Sequence, residues 1–335
     1  MIKVGIVGAS GYTGLELVKM LITHPNFELT LVATSSGDVM LEALHPSLSG
    51  VVSMEVQKAS VNIVVDNCDL VFLALPHKTS MGFAKDLLDR GVKVVDLSAD
   101  YRLELETYER AYCPHEDKEH LPQAVYGLIE YYKDELKNTN LAAGPGCYPT
   151  ATLLGILPFV KYLDENSPLF VDAKSGVSGA GKKLSETTHY VTINDNIFAY
   201  NPLKHRHAPE IAEKISKIGG KDMHVNFVPH LISATRGELV SVYGVLKSDI
   251  DPLEVLKEHY KNDPFIRVRE KPVDIKSVSG THFCDIYAQR NGNALFVSSA
   301  IDNLLRGASS QALACANLMC GLDESVGLPT ISYMP

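Results

Sequence analysis

The sequence has 335 residues, of which 45% are hydrophobic and 21% are charged, and its formal net charge is −9 at pH 7. This composition is typical of a globular protein with one large domain or two ordinary ones, and the negative charge disfavours non-specific binding to nucleic acid. Its 6 cysteines show neither metal-ligand spacing nor a disulfide framework, and no apolar run is long enough to span a membrane. The N-terminus also lacks a signal-peptide layout, so we expect a cytoplasmic protein. Because no metal-ligand spacing is present, we expect that it binds no metal.

The first element is an apolar, β-branched run over Ile2–Val7, which predicts a buried parallel strand. A glycine loop over residues 8–14 follows, and a helical pattern begins at Leu15. A glycine loop between the first strand and the first helix lets the backbone approach a pyrophosphate at the helix N-terminus. The predicted dinucleotide-binding residues of this loop are Gly8, Ser10, Gly11, Tyr12, Thr13 and Gly14.

The second strand, over residues 29–33, leads into Thr34, Ser35 and Ser36. A site that prefers NAD usually has an acidic residue here to bind the ribose hydroxyls, whereas hydroxyl side chains can bind a 2′-phosphate. We therefore predict NADP(H) as the cofactor, with Ser35 and Ser36 among its ligands. No Arg or Lys follows directly and Asp38 lies nearby, so an ordinary polar loop is the alternative.

Strands and helices continue to alternate, with strands at residues 70–75 and 92–97 around a helix at residues 80–89. This alternation predicts a doubly wound parallel sheet, in which ligands lie beyond the carboxyl ends of the strands. Pro76, at the first of these ends, is assigned to the cofactor. Ser98 and Arg102, beyond the second, are assigned to the substrate. Arg102 could bind a phosphate or carboxylate bidentately, or form a surface salt bridge with an acidic neighbour such as Glu104.

A short apolar run, residues 141–143, leads into the loop Gly-Pro-Gly-Cys-Tyr-Pro-Thr over residues 144–150. Pro149 suits the first position of a helix, which places Cys147 just before the helix N-terminus. Free N–H groups and the helix dipole favour a thiolate there, so Cys147 is the predicted nucleophile. The alternative is a buried, inert cysteine.

The predicted helix continues towards Leu163, with a break possible at Pro158. A strand follows at residues 169–174, and then a glycine- and serine-rich loop at residues 175–181. Ser178 and Gly179 of this loop could line the cofactor, or the loop could be a flexible connection.

The segment His205-Arg-His207 precedes a helix predicted to begin at Pro209. A cysteine enzyme needs an acid or base near its sulfur, and histidine is suited to neutral pH, so His205 and His207 are the candidates. Glu210 lies three residues after His207 and could orient its imidazole or contribute to the substrate site. An anion-binding patch is an alternative, and a metal site is disfavoured because no third ligand follows at a recognisable spacing.

The remaining strands are predicted at residues 225–230, 239–246, 284–288 and 294–301, with a turn at residues 291–293. They alternate less strictly with helices, which favours an α+β domain with a mixed sheet. Residues 308–319 are small, apolar and helical in pattern, and could pack on another helix or on the first domain.

Taken together, these stretches resemble the N-acetyl-gamma-glutamyl-phosphate reductases of the aspartate-semialdehyde dehydrogenase fold family. The motifs that carry the resemblance are Gly8-Ala-Ser-Gly-Tyr-Thr-Gly14, Leu75-Pro-His77, Asp96-Leu-Ser-Ala-Asp-Tyr-Arg102, Gly144-Pro-Gly-Cys-Tyr-Pro-Thr150, Ser175-Gly-Val-Ser-Gly-Ala-Gly181, His205-Arg-His207 and Asp302-Asn-Leu-Leu-Arg-Gly307. The resemblance covers essentially the whole chain. It implies that Cys147 is the nucleophile, that His205 or His207 is the acid/base, and that Asn303 lies near the cofactor.

The family implies an α/β fold, with a Rossmann-type NADP-binding domain over residues 1–147 and 304–335. The catalytic and dimerisation domain would cover residues 148–303 and contain the mixed sheet. The implied reaction is NADPH-dependent reduction of an acyl phosphate to an aldehyde through a cysteine thioester, in arginine biosynthesis, by a homodimer or homotetramer. The alternatives are the carrier-protein-linked reductase of lysine biosynthesis, aspartate-semialdehyde dehydrogenase, whose usual cysteine loop differs, and a non-catalytic dinucleotide-binding module.

Overall fold

The structure is a computed structural model that describes residues 1–334 and divides into two compact units. The first unit comprises Met1–Pro145 and Ala308–Pro329, and the second comprises Gly146–Gly307 and the C-terminal residues from Thr330. The boundaries expected from the sequence, at 147/148 and 303/304, lie within a few residues of these. The C-terminal residues from Thr330 group with the second unit rather than with the first.

The strands of residues 1–334 fall into one sheet in each unit, β1–β8 in the first and β9–β15 in the second. Their bounds are β1 (Ile2–Val7), β2 (Phe27–Thr34), β3 (Val39–Met40), β4 (Glu55–Lys58), β5 (Leu70–Leu73), β6 (Lys93–Asp96), β7 (Val125–Tyr126), β8 (Leu141–Ala143), β9 (Leu169–Gly176), β10 (Ile197–Ala199), β11 (Val225–Ile232), β12 (Glu238–Val245), β13 (Ile266–Val268), β14 (Cys284–Asn291) and β15 (Ala294–Ile301).

The helices are α1 (Tyr12–Leu21), α2 (Leu41–Leu44), α3 (Val61–Asn67), α4 (Ser80–Leu88), α5 (Leu105–Ala111), α6 (Ile129–Leu136), α7 (Cys147–Ile156), α8 (Tyr190–Ile193), α9 (His207–Gly219), α10 (Pro252–His259) and α11 (Ser310–Met319). Short 3₁₀ turns occur at Pro46–Leu48, Leu121–Gln123, Leu157–Tyr162, Val177–Ala180 and Glu186–Thr188, and a π-helical turn at Leu305–Ser309 precedes α11. No helix of residues 1–334 is long and apolar enough to cross a membrane.

The first unit is built around a sheet with the strand order β3-β4-β2-β1-β5-β6-β8-β7. All neighbouring strands are parallel except the short edge strand β3, which runs antiparallel to β4. The predicted doubly wound parallel sheet is therefore confirmed. Because the strands are parallel, the loops after β1, β2, β5, β6 and β8 leave the sheet at one edge, where such folds bind their ligands.

The C-terminal helix α11 belongs to the core of the first unit and packs on α1, α6, β6 and β8. Its residues are small, and Ala312, Ala314 and Ala316 have no exposed surface. Small side chains let helix and sheet backbones approach closely, which explains the apolar, alanine-rich pattern of this segment.

The second unit has a mixed sheet with the strand order β10-β11-β9-β12-β15-β14-β13. Strands β11 and β9 pair in parallel, whereas β12 pairs antiparallel with both β9 and β15. Helix α7 packs on β12 and β15 and on α9. Every residue of α7 after Cys147 is buried, so an apolar helix forms the centre of this unit.

The segment after the cysteine differs in detail from the prediction. Helix α7 begins at Cys147 itself, and Pro149 is its third residue rather than its first. Proline is still accommodated, because the first turn of a helix does not use its N–H groups in intrahelical bonds. The helix ends before Pro158, where the 3₁₀ turn Leu157–Tyr162 takes over, so the predicted break is confirmed.

Candidate active site

Cys147 is the first residue of α7 and is half-buried. Gly146 is the N-cap residue in extended conformation, and as a glycine it has no side chain that could cap the first turn. The first intrahelical bond runs from the Thr150 N–H to the Gly146 carbonyl at 2.9 Å. The N–H groups of this turn and the positive end of the helix dipole therefore lie beside the sulfur, where they favour a thiolate and can stabilise an oxyanion.

A second glycine fixes the cysteine from the other side. A Cβ atom on Gly307 would lie 2.6 Å from the Cys147 Cβ, much closer than two carbon atoms can approach without strain. The backbone after β15 therefore packs directly on the cysteine. A residue with any side chain at position 307 would displace Cys147 or the turn.

His207 is the first residue of α9, and its imidazole packs on the backbone beside the cysteine. A Cβ on Gly146 would lie 2.7 Å from His207 Nε2. His205 Nδ1 accepts a hydrogen bond from the His207 N–H at 3.1 Å. Burial, and then the nearby charge of Arg206, lower the pKa of His205 to about 4, so its imidazole is neutral at physiological pH.

Glu210, also on α9, is buried, and its carboxylate accepts a hydrogen bond from the Gly146 N–H at 3.0 Å. The carboxylate thus ties α9 to the residue that precedes the nucleophile. The predicted hydrogen bond from the His207 imidazole to the Glu210 carboxylate stays a prediction.

Cys147, His205 and His207 line one cavity of ≈ 550 Å³ within the second unit. Tyr200, Lys204 and Arg206 also line it, and the last two are exposed cationic side chains. The cavity thus combines a helix-bound thiol, two imidazoles and positive charge. Such a set of groups suits an anionic substrate that is attacked by sulfur.

The predicted cofactor residues of the second unit also come together. Asn303 Nδ2 donates to Ser178 Oγ at 3.0 Å, and Asn303 Oδ1 accepts from the Gly237 N–H at 2.8 Å. A Cβ on Gly179 would lie 2.8 Å from Ser175 Oγ, so this position has no room for a side chain. Residues 177–180 form a 3₁₀ turn rather than a flexible connection, because Asn303 and the backbone at positions 234–237 hold them.

In the first unit, the glycine loop has the form that a bound pyrophosphate requires. Gly8 has a φ of +101°, and a Cβ there would lie 2.2 Å from the Ala74 carbonyl oxygen. A Cβ on Gly14 would lie 2.6 Å from the Gly8 carbonyl oxygen, which keeps α1 close to β1. Gly11 is the N-cap residue of α1, has no side chain that could cap the first turn, and has open space beside it. The loop therefore fits a dinucleotide.

Arg102 is buried rather than on the surface, and a salt bridge with an acidic neighbour stays a prediction. Its Nε donates to the Gly144 carbonyl at 2.6 Å, and its Nη2 donates to the Leu97 carbonyl at 2.8 Å. The guanidinium therefore joins the segments that follow β6 and β8, at the start of the cysteine loop. Its predicted role in binding substrate stays a prediction.

Ser98 is buried as well, and its hydroxyl donates to Asp96 Oδ2 at 2.7 Å. Burial, and then the charge of Asp100, raise the pKa of Asp96 to about 6. Pro76, by contrast, is exposed beyond β5, at the edge where the cofactor was expected.

Comparison with known proteins gives the same picture over the whole chain. Residues 3–139 match the family described as "Semialdehyde dehydrogenase, NAD binding domain", and residues 147–303 match "Semialdehyde dehydrogenase, dimerisation domain". The chain is 79% identical to the N-acetyl-gamma-glutamyl-phosphate reductase of Sulfurovum sp. (strain NBC37-1), with 100% of each chain covered. The chain belongs to the N-acetyl-gamma-glutamyl-phosphate reductase family.

A second member of this reductase family, from Wolinella succinogenes, is 63% identical over 100% of this chain and 99% of its own. Among solved structures, the fold is similar to aspartate semialdehyde dehydrogenase II from Vibrio cholerae, with a TM-score of 0.73 at 15% identity, over 96% of this chain and 98% of that chain. It is also similar to the Candida albicans aspartate semialdehyde dehydrogenase solved with NADP, with a TM-score of 0.70 at 15% identity and the same coverage. The expected fold is therefore confirmed.

Two residues at these sites were not identified from the sequence. Lys58, at the end of β4, is in register with Thr34 of β2 and is exposed, so a cation lies beside the loop that contains Ser35 and Ser36. Glu238 is fully buried and lies against Cys147. Glu238 is the first residue of β12, and one charged residue beside an apolar run is a weak signal in itself. Only the pairing of strands brings Lys58 and Glu238 to their neighbours.

Proposed function

We propose that the chain reduces N-acetyl-glutamyl 5-phosphate to N-acetylglutamate 5-semialdehyde and phosphate with NADPH, as the arginine-biosynthetic reductase of its family does. One observation supports this most strongly. A cysteine at a helix N-terminus shares a cavity with two histidines and two exposed cations. The full-length relatives with 79% and 63% identity carry the name of this reductase.

The reaction begins with the Cys147 thiolate. Its Sγ attacks the carbonyl carbon of the acyl phosphate, and the C–O bond to phosphate breaks, which leaves a thioester on the enzyme. When bound, NADPH supplies the hydride that reduces the thioester carbon. The tetrahedral alkoxide on Cys147 then re-forms a carbonyl as the C–Sγ bond breaks, so the aldehyde leaves and the thiolate is restored.

The chain stabilises the charge that develops on the substrate oxygen. The N–H groups at the start of α7, where Cys147 is the first residue, form the oxyanion site. His207 packs beside Gly146 and is the acid/base for the substrate, and the neutral His205 supports it through its bond to the His207 N–H. Lys204 and Arg206 provide positive charge for the leaving phosphate.

For the cofactor we propose the glycine loop Gly8–Gly14 as the pyrophosphate site and Ser35, Ser36 and Lys58 as the 2′-phosphate site. Neither Gly8 nor Gly14 of this loop has room for a Cβ, because backbone atoms lie too close. The hydroxyl groups and ammonium group near the end of β2 suit a phosphate rather than a free ribose. In the second unit, we propose that Ser178, Gly179 and Asn303 bind the nicotinamide part of the cofactor.

The two compact units would divide the work between NADP binding and catalysis. We further propose a homodimer or homotetramer that forms through the second unit, because Phe170 of β9 is 53% exposed and Tyr243 of β12 is 46% exposed on the open sheet. The 6 cysteines are free, which suits a cytoplasmic, reducing compartment.

A reverse-direction assay tests the proposal. Purified protein is mixed with N-acetylglutamate semialdehyde, phosphate and either NADP or NAD, and the absorbance of the reduced nicotinamide is followed. We expect a phosphate-dependent signal with NADP. The Cys147→Ala variant should give no turnover but bind NADPH normally. No signal from an enzyme that binds NADPH would rule out this substrate and point to the carrier-linked acyl phosphate of lysine biosynthesis.

A further inference from the structure

A buried glutamate lies beside the sulfur of the nucleophile. Glu238 is the first residue of β12 and has no exposed surface. It pairs with Ser175 of β9 and with Ile301 of β15, so strands on both sides hold its backbone. This pairing fixes the position from which its side chain extends. The carboxyl group is buried beside Cys147.

The carboxyl group has few groups that could stabilise a negative charge. Neither oxygen accepts a hydrogen bond from a backbone N–H, a hydroxyl or an amide anywhere in residues 1–334. A buried carboxylate without such donors is very unfavourable, and the group avoids this cost by keeping its proton. Burial accordingly raises the pKa of Glu238 to about 8, although its contact with the Cys147 thiol acts in the opposite direction.

The other ionisable groups that face Glu238 do not change this conclusion. They are Tyr148 of α7, Tyr200 after β10 and Asp302 after β15. The Tyr200 hydroxyl donates to the Tyr148 hydroxyl at 3.2 Å, and Asp302 forms an ion pair with Arg236 at 2.9 Å. The negative charge of Asp302 disfavours a second carboxylate, and the Arg236 guanidinium is paired with Asp302.

We propose that Glu238 is a catalytic hydrogen-bond donor of this site, whose protonated carboxyl group donates a hydrogen bond to the Cys147 sulfur. This inference rests on the proposed function in one respect, which is that Cys147 is the nucleophile. In this proposal Glu238 interacts with the Cys147 sulfur, whereas His207 remains the acid/base for the oxygen atoms of the substrate.

The hydrogen bond acts at both ends of the reaction. In the resting enzyme it stabilises the thiolate together with the N-terminus of α7. The proton stays on the Glu238 oxygen while the Sγ–C bond forms, because the thioester sulfur carries no charge. When the Sγ–C bond breaks, the same proton is in place to receive the leaving thiolate. An ionised Glu238 would instead repel the thiolate.

Two variants separate the donor from the charge. Glu238→Gln keeps an N–H donor of the same size but cannot ionise, whereas Glu238→Met removes the donor and keeps the volume. A hydrogen bond to a charged group is worth roughly 10- to 100-fold, so we expect Glu238→Met to lower kcat by about that factor with little change in KM. Glu238→Gln should keep most of the rate. Glu324→Gln, in the first unit, is the matched control and should behave as the wild type.

The pH profile is the readout that a merely structural role would not move. The wild-type rate should fall as Glu238 ionises, near pH 8, since a carboxylate cannot donate to the sulfur. In Glu238→Gln this alkaline loss should disappear. If Glu238→Met does not fold, as judged by circular dichroism, the profile of Glu238→Gln still decides. An identical alkaline limb in wild type and Glu238→Gln overturns the proposal.

The reactivity of the thiol provides a test that needs no substrate. The pH dependence of Cys147 alkylation by iodoacetamide reports the thiol pKa directly. Glu238→Met should shift its midpoint upwards by one pH unit or more, the equivalent of a tenfold loss of thiolate, relative to Glu238→Gln. An unchanged midpoint in Glu238→Met contradicts the proposal. Because this experiment is independent of the acyl phosphate, a wrong substrate assignment would leave it intact.

Discussion

The packing of Gly307 on the nucleophile gives a quantitative prediction. In Gly307→Ala the new methyl group would lie 2.6 Å from the Cys147 Cβ, whereas non-bonded carbon atoms prefer about 3.5–4.0 Å. Either Cys147 or the turn must therefore move by about 1 Å. Overpacking of this kind costs about 1–3 kcal/mol in the free energy of unfolding, and a 1 Å displacement of a reacting group costs about 100-fold in rate.

The assay combines thermal unfolding with the reverse-direction rate. We expect Gly307→Ala to lower the melting temperature by about 2–10 °C and kcat by about 100-fold. The matched control is Gly82→Ala, since Gly82 lies on an exposed face of α4 and a Cβ there meets nothing closer than 3.9 Å. This control should gain about 0.5–1 kcal/mol, because alanine favours a helix more than glycine does. A Gly307→Ala enzyme with wild-type rate and melting temperature would refute the reasoning.

Three further predictions follow from single residues. Lys58→Met should weaken the binding of 2′,5′-ADP about tenfold in calorimetry but leave the binding of 5′-AMP unchanged. The control variant Lys85→Met, in α4, should change the binding of neither nucleotide. Equal effects of Lys58→Met on both nucleotides would show that Lys58 is not part of the 2′-phosphate site. Lys78 has a φ of +72°, a conformation that glycine adopts with less strain than lysine. Lys78→Gly should therefore raise the free energy of unfolding by about 0.5–1 kcal/mol in urea titrations. A loss of stability would show that the Lys78 side chain stabilises the fold. Because the pKa of Glu238 is raised from 4.5 to about 8, the unfolded chain ionises first. The free energy of unfolding should therefore decrease as pH rises from 4.5 to 8, and Glu238→Gln should lack this contribution; equal slopes in the two proteins would mean that Glu238 is ionised when folded.

The sequence by itself determined the local elements and their order. Hydrophobic runs and glycine positions identify β1, the loop Gly8–Gly14 and α1, because strand, turn and helix each have a local pattern. Alternation of such units implies a parallel sheet, and a parallel sheet places its strand ends at one edge. The position of Cys147 at a helix start could be predicted for the same reason, since only its immediate neighbours matter.

Sequence reasoning leaves alternatives open where burial decides the role of a side chain. Arg102 follows a strand and looked equally suited to a ligand or to a surface ion pair. Its burial between the Leu97 and Gly144 carbonyls depends on how the segments after β6 and β8 pack, and no local pattern records that packing. The prediction put Pro149 at the first position of the helix, whereas it is the third residue of α7. The first turn of a helix accepts proline at more than one position, so proline alone does not fix where the helix begins.

Only the tertiary structure decided which distant residues meet. Glu238 lies against Cys147 because β12 pairs antiparallel between β9 and β15, and a shift of one residue in this register would turn its side chain to the other face. Lys58 lies beside Ser35 because β4 is in register with β2. Register is set by the packing of whole strands, and their apolar residues look alike in sequence. The chemical groups of this protein can therefore be read along the chain, whereas their partners depend on how the sheets assemble.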